Sequence, residues 1–339
     1  MRPQRPVRVG VMGCAEFALR RMLPAMADSP DIELAAVASR RPATAREVAA
    51  RFGGSPVRDY ERLLDFPDLD AVYIPLPNAL HAEWVLRALD AGHHVLAEKP
   101  LTTRAGLTRE AVRRAEGRGL ALVENFLFVH HPQHARVRRL LQDEIGELRQ
   151  MSAVFAIPPR PADDIRHRPD LGGGALLDVG VYPLRAAQHF LGTGLTVVGA
   201  ALRQGPTGVD VEGSVLLRRA DGVCAQLSFG MEHAYTSRYE LWGSAGRITV
   251  NRAFTPPADQ RPDVTVERDG AVRGIALPAA DQCAAAVAAF AAAVRDPESC
   301  RAAAQRSADL ARLTDDVRAA AAEDARHITA AVVPQGPGG

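Results

Sequence analysis

Lysine is nearly missing from this 339-residue chain: of its 41 basic residues only Lys99 is lysine, and the rest are arginine. An excess of either charge is missing too, because 40 acidic residues leave a formal net charge of +1. That balance excludes a general attraction to nucleic acid or to an anionic membrane surface. Cysteine is sparse and scattered, and Cys14, Cys224, Cys283 and Cys300 form no CxxC pair. A disulfide scaffold and a zinc finger are thereby set aside, and a reducing, cytoplasmic setting is expected. No apolar run approaches the ~20 residues of a transmembrane helix. The first apolar stretch, Val7 to Met12, is too short for a signal-peptide core and runs straight into a glycine turn.

What is present is a foldable composition, 47% hydrophobic and 24% charged, in a chain long enough for two domains. The lone lysine stands out against the arginines. Guanidinium stays protonated at any relevant pH, whereas an ammonium can be tuned by burial to give or accept a proton. Lys99 is therefore read as the position where arginine does not serve.

Through residue 125, short apolar runs alternate with helix-patterned segments. Val7–Met12, Ile32–Ala38, Ala71–Leu76, His94–Ala97 and Ala121–Glu124 read as strands. Phe17–Asp28, Ala43–Phe52, Ala79–Ala91 and Arg104–Arg118 read as helices, with Tyr60–Leu64 a short helical turn. Single helices between strands imply right-handed crossovers and a parallel, doubly wound α/β sheet of the Rossmann kind over 1–125. After Phe126 a helix over Gln133–Gln142 precedes strand-like segments from Leu148 to Asn251, interrupted by one helix around Leu176–Leu191. Their alternation and turns predict an α+β second domain over 126–333, with an open, mainly antiparallel sheet. Gln282–Arg295 and Arg301–Thr329 read as alanine-rich helices, the first packing back through Cys283, Val287 and Phe290. Residues 334–339 read as a frayed tail.

The first strand empties into Gly13-Cys14-Ala15-Glu16-Phe17-Ala18, and a helix follows. The first glycine permits a tight turn, and the small residue at Ala15 lets backbone N–H groups approach a pyrophosphate. Ala18 allows close packing of helix on strand, with the positive helix end toward the phosphates. An NAD site would end the second strand with an acid; this one ends Ala38-Ser39-Arg40-Arg41. A hydroxyl and two guanidiniums suit a 2′-phosphate, so NADP(H) is the expected cofactor.

Glu98-Lys99-Pro100 closes a parallel strand at the edge where open α/β sheets bind ligands. Leu76-Pro77-Asn78 closes the preceding one, with His81 a helical turn beyond. Glu98 can tune the proton affinity of Lys99 or make a structural ion pair. Further on, Asp178 and Tyr182 are four apart and share a face on a plain helix. Gly180 between them costs about 1 kcal/mol relative to alanine, which anticipates close approach by another backbone or a ligand. Pro183 anticipates a kink. His130, His131 and His134 lack a carboxylate or cysteine to complete a metal site, so no metal is expected. Asp163 and Asp164 read as solvated loop carboxylates, and the acids and arginines of Arg301–Arg326 as a solvated helix face.

Gly13-x-Ala15-x-x-Ala18, Glu98-Lys99-Pro100 and the glycine-rich stretch leading to Asp178-x-Gly180-x-Tyr182 resemble the Gfo/Idh/MocA oxidoreductases over nearly the whole chain. The resemblance implies an NAD(P)-carrying Rossmann domain and a C-terminal open sheet that builds the sugar pocket and an oligomer interface. Tyr182 stands where histidine is usual and Arg185 replaces the following aspartate, a departure from the inositol-dehydrogenase pattern. Ala18-Leu19-Arg20-Arg21-Met22-Leu23-Pro24, Glu124-Asn125-Phe126 with His130-His131-Pro132, and Ile165-Arg166 are similar to the NADPH-dependent sugar C-3 ketoreductases. Those enzymes act on nucleotide-linked 3-keto-deoxysugars in antibiotic glycoside biosynthesis. By that similarity Arg166 and Asp178 also touch the cofactor, and Tyr235 and Thr255 line the sugar pocket beside Lys99 and Tyr182. Lys99 and Tyr182 are the two proton-handling candidates. The expectation is a cytoplasmic homo-oligomer, dimer or tetramer, that reduces a nucleotide sugar. A reductase or dehydrogenase of a free sugar, anhydro-sugar or dihydrodiol and a non-catalytic NADPH sensor are the alternatives.

Overall fold

The computed structural model describes residues 5–332, so the tail expected at 334–339 lies outside the described residues. Two compact units divide the chain. The first holds the chain up to His134 together with 257–261 and 278–311. Its strands are β1 (Val7–Met12), β2 (Ile32–Ala38), β3 (Ser55–Val57), β4 (Ala71–Ile74), β5 (His94–Glu98) and β6 (Leu122–Asn125). All pair in parallel, in the order β3-β2-β1-β4-β5-β6. The order reverses on either side of β1, the switch point at which such sheets bind ligands beyond their carboxyl ends. The crossovers carry α1 (Leu23–Ala27), α2 (Pro42–Phe52), α3 (Tyr60–Leu64), α4 (Asn78–Asp90) and α5 (Ala105–Arg118).

Helices cover both faces of this sheet, which is why β4 is buried at every position. On one face Val9, Val37, Tyr73 and Leu96 pack with Met22 and Met26. On the other, Val72, Ile74, Trp84, Val85 and Val112 form the core. Beyond α6 (Pro132–Asp143) and α7 (Val181–Leu191), two C-terminal helices follow, α8 (Gln282–Arg295) and α9 (Arg301–Val332). Cys283, Val287 and Phe290 of α8 join the first face, and Ala304 and Ala308 of α9 join the second. Residues 278–311 therefore pack with the Rossmann sheet rather than with the second domain expected over 126–333. The apolar stripe of an alanine-rich helix carries no mark of which core it fills. Asp281 caps α8 by accepting from the N–H of Cys283 at 2.7 Å and of Ala284 at 3.2 Å.

The second unit holds 135–256, 262–277 and the chain from Arg312. Its strands are β7 (Leu148–Ala156), β8 (Thr196–Gln204), β9 (Asp210–Arg218), β10 (Cys224–Gly230), β11 (Thr236–Gly243), β12 (Gly246–Asn251), β13 (Asp263–Arg268) and β14 (Ala271–Gly274). They form one sheet in the order β14-β13-β12-β11-β7-β10-β9-β8, antiparallel except where β7 meets β10. Burial alternates along β9 and β11, as expected of a sheet with one covered face. The β13–β14 hairpin is absent from the sequence reading, although Val264 and Val266 alternate. Its turn places Asp269 and Gly270 at positive φ, 53° and 75°, the geometry that Asp-Gly favours. Two helices read as uniform contain π-helical turns, Ala18–Met22 before α1 and Leu176–Gly180 before α7. Among the described residues no helix is long and apolar enough to cross a membrane.

Candidate active site

The turn after β1 is built by exclusion. Gly13 has φ +105°, and a Cβ there would lie 2.7 Å from Leu76 Cδ2, so no side chain fits. Its N–H donates to Ala38 O at 2.9 Å, tying the turn to the end of β2. Ala15, Glu16 and Phe17 are exposed where the helix begins, while Ala18 is buried against the sheet. Cys14 is half-buried; burial pushes its thiol up, against the pull of Ser39 and Arg41. Beyond β2, Ser39 is buried and its Oγ accepts from the N–H of Arg41 at 3.3 Å, whereas Arg40 and Arg41 are exposed. The edge thus offers N–H groups, a hydroxyl and two guanidiniums.

Leu76 and Pro77 lead into α4, which begins at Asn78. His81 on that helix is fully buried, with one ring nitrogen 2.8 Å from Leu76 O and the other 2.7 Å from Pro100 O. Burial lowers its pKa, outweighing the two carbonyls. Both nitrogens face backbone carbonyls, so the ring ties the segment after β4 to the segment that follows Lys99. Lys99 itself is half-buried and followed by a cis bond to Pro100.

Glu98 sits on the central strand of three, and its Oε1 accepts from Tyr73 Oη and from Asn125 Nδ2, each at 2.7 Å. Parallel register sets Asn125 directly beside Glu98. Burial raises the Glu98 pKa, and the two donors offset this only in part. Tyr73 in turn is held well above an ordinary phenol by burial and by the neighbouring Glu98. Tyr73 carries no site signal in the sequence, and although Asn125 lies in the Glu124-Asn125-Phe126 motif, only strand order puts either residue next to Glu98.

In the second unit the glycine-rich stretch is explained by crowding. A Cβ on Gly173 would lie 2.4 Å from Arg166 O, and one on Gly174 2.5 Å from Asp210 Oδ1. Asp210 accepts from the N–H of Leu176 at 2.5 Å and so anchors the π turn. Asp178 accepts from Arg166 Nε at 2.5 Å, and Asp164 Oδ1 accepts from the same guanidinium at 3.1 Å. Burial works against the Arg166 charge, but the two aspartates overcome it and raise its pKa. At Gly180 the Phe229 ring, rather than another backbone, is the close neighbour, 3.0 Å from the place of a Cβ. Pro183 falls in the first turn of α7, and the irregularity is the π turn that ends at Gly180, which widens the spacing assumed between Asp178 and Tyr182.

Tyr182 packs edge-on against Phe155, ring centroids 4.9 Å apart, and tilted against Phe254 at 5.8 Å. Tyr235 reaches the same Phe155 at 6.4 Å, and its hydroxyl lies 3.0 Å from Thr255 Oγ1. The second unit therefore gathers Tyr182, Tyr235 and Thr255 around two phenylalanines that sequence reasoning missed. Alternation along β7 turns Phe155 inward, the one signal available for it.

Residues 7–126 match the oxidoreductase family GFO/IDH/MocA with an NAD-binding Rossmann fold, and residues 134–249 match the GFO/IDH/MocA C-terminal domain. The chain belongs to the Gfo/Idh/MocA oxidoreductase family. Within the Gfo/Idh/MocA relatives it is 57% identical over 294 residues to dTDP-3,4-didehydro-2,6-dideoxy-alpha-D-glucose 3-reductase of Saccharopolyspora spinosa, across 86% of this chain and 89% of that one. A crystal structure of a 3-ketoreductase from Actinomadura kijaniata in complex with NADP and TDP-benzene is 52% identical, with a TM-score of 0.90. It covers 93% of this chain and 98% of its own. D-xylose 1-dehydrogenase (NADP(+)) 2 of Haloferax volcanii is 36% identical, over 91% of this chain and 95% of the relative.

Proposed function

We propose that this Gfo/Idh/MocA oxidoreductase uses NADPH to reduce the C-3 ketone of a dTDP-linked 3-keto-deoxysugar, in the deoxysugar biosynthesis that supplies antibiotic glycosides. The observation that carries the reading is the 57% identity, over 89% of its length, to a dTDP-sugar 3-reductase.

The residues present fit a phosphorylated dinucleotide. The Gly13 turn has no room for a Cβ, and the second strand ends in Ser39, Arg40 and Arg41 with no acid to repel a 2′-phosphate. Gly13, Cys14, Ala15, Glu16, Phe17 and Ala18 would hold the pyrophosphate, and Ser39 to Arg41 the 2′-phosphate. Leu76, Pro77, Asn78, His81, Glu98, Lys99, Arg166 and Asp178 are the remaining cofactor candidates. When bound, the nicotinamide supplies a hydride to the carbonyl carbon.

The chain's own task is to place the ketone and neutralise the charge that grows on its oxygen. Lys99 is assigned the hydrogen bond to that oxygen, where an ammonium acts as electrophile and acid. The Tyr182 hydroxyl either gives the proton or fixes the oxygen as a second donor. Tyr235 and Thr255 line the sugar pocket. We also infer a cytoplasmic homo-oligomer, dimer or tetramer, whose interface would cover part of the wide eight-stranded sheet.

A second reading, a dehydrogenase or reductase of free sugars, draws on the D-xylose 1-dehydrogenase likeness. The test follows NADPH absorbance with a dTDP-linked 3-keto sugar and, in reverse, NADP with free aldoses. Turnover of the nucleotide-linked ketone alone is expected. Turnover of free sugars alone would replace the first reading by the second, and NADPH binding without turnover of any carbonyl would leave only a sensor.

A further inference from the structure

Arg252 directly follows β12 and holds a left-handed backbone, φ 49°, which a long side chain seldom adopts. Ser237 on β11 ties down the residues that follow Arg252. The N–H of Ala253 donates to Ser237 O at 3.0 Å, and the N–H of Phe254 to Ser237 Oγ at 3.0 Å. Such a conformation persists where the surroundings over-determine it, and it clusters at ligand sites.

The Arg252 guanidinium lies 4.6 Å from the centroid of the Tyr235 ring. Tyr235 is the residue whose hydroxyl meets Thr255 and whose ring reaches Phe155, so Arg252 stands at the rim of the cluster that holds Tyr182. Three other arginines of this sheet are neutralised: Arg203 by Glu212 and Glu232, Arg238 by Glu240, and Arg247 by Glu267. Among the described residues no carboxylate pairs with Arg252, which is exposed. A guanidinium resting on an aromatic face keeps N–H groups free for a ligand, and its planar fork suits bidentate capture of a phosphate.

We propose that Arg252 binds the diphosphate of the nucleotide-linked substrate and so selects nucleoside-diphosphate sugars over free sugars. The inference rests on the proposed function and names where that substrate's charge is held. Tyr235 then has two tasks, a platform for the guanidinium and a wall of the sugar pocket.

Calorimetric titration of the full chain with dTDP, thymidine and NADPH tests it, using Arg252→Ala and Arg252→Lys. Hydrogen bonds to a charged group are strong enough that Arg252→Ala should weaken dTDP binding ~10-fold or more, with thymidine and NADPH affinities held. Arg252→Lys should recover part of the loss, because it keeps the charge and loses the fork. KM for the dTDP-linked ketone should rise by a similar factor. dTDP affinity within about twofold of the unaltered chain in Arg252→Ala overturns the proposal. An equal loss of thymidine binding overturns it as a collapse of the pocket, and a loss of NADPH binding assigns the charge to the cofactor instead. If the unaltered chain turns over the dTDP-linked ketone, these failures concern Arg252 alone. If it neither turns that ketone over nor binds dTDP, the proposed function falls with it.

Discussion

At the carboxyl edge of the parallel sheet, Gly13, Ser39, Glu98 and Lys99 stand at or just beyond strand ends, and their chemistry is carried by backbone and charge. In the second unit Tyr182 comes from a helix and Tyr235 and Thr255 from loops, and their chemistry is carried by rings packed on Phe155 and Phe254. The first arrangement is set by strand order and tolerates few residue types. The second is set by side-chain packing between distant segments, and it leaves more freedom to vary the substrate. A family can thus keep one cofactor edge while altering its pocket.

The sharpest way to break this comparison is to remove one proposed proton-handling group from each side. Lys99→Ala, and Lys99→Arg as well, should lower turnover by ~10²-fold or more. Near-normal turnover in Lys99→Arg would refute the reading of the single lysine. Tyr182→Phe keeps the ring on Phe155 and removes only the hydroxyl, so a smaller loss, ~10-fold, is expected. Steady-state NADPH oxidation measures all three. If Tyr182→Phe loses more than Lys99→Ala, the proton comes from the aromatic side and the roles reverse.

A second, smaller effect probes packing in the aromatic unit. Gly180→Ala sets a methyl 3.0 Å from the Phe229 ring, and the same ring also crowds Gly213. Overpacking of this kind costs about 1–3 kcal/mol. Denaturant unfolding should show that loss, and Phe229→Leu in the same chain should return most of it. Additive losses in the double variant would mean that the ring is not what excludes a side chain at Gly180.

Legibility in the sequence follows the same divide. Gly13, Ser39-Arg40-Arg41 and Glu98-Lys99-Pro100 were readable because a parallel sheet places strand ends together whatever else the chain does. The strand and helix pattern was readable for the same reason, apart from β3, where Pro56 breaks a short edge strand, and the β13–β14 hairpin. The bonds of Tyr73 and Asn125 to Glu98 were not readable, since they depend on which strands become neighbours. Phe155, Phe229, Arg252 and Phe254 were not readable either, because no spacing joins segments so far apart. The π turns escaped because their extra residue leaves the apolar pattern intact.

The smallest effect compares one buried carboxyl in each unit. Burial raises the pKa of Glu98 above its ordinary 4.5 and that of Asp210 above its ordinary 3.8. An acid whose pKa is higher folded than unfolded binds its proton more tightly in the folded chain. Its contribution to stability is therefore full below the ordinary value and is lost as pH rises through the folded one. Glu98→Gln retains an oxygen for Tyr73 and Asn125, and Asp210→Asn retains one for the Leu176 N–H, while neither titrates. The Tm of the unaltered chain minus that of Glu98→Gln should fall as pH is raised from below 4.5 toward neutrality, and the same difference for Asp210→Asn should begin to fall from a lower pH, near 3.8. A difference that stays flat for Glu98→Gln but not for Asp210→Asn would mean that the Tyr73 and Asn125 bonds fully offset burial at the cofactor edge, making the parallel sheet the better solvent for charge.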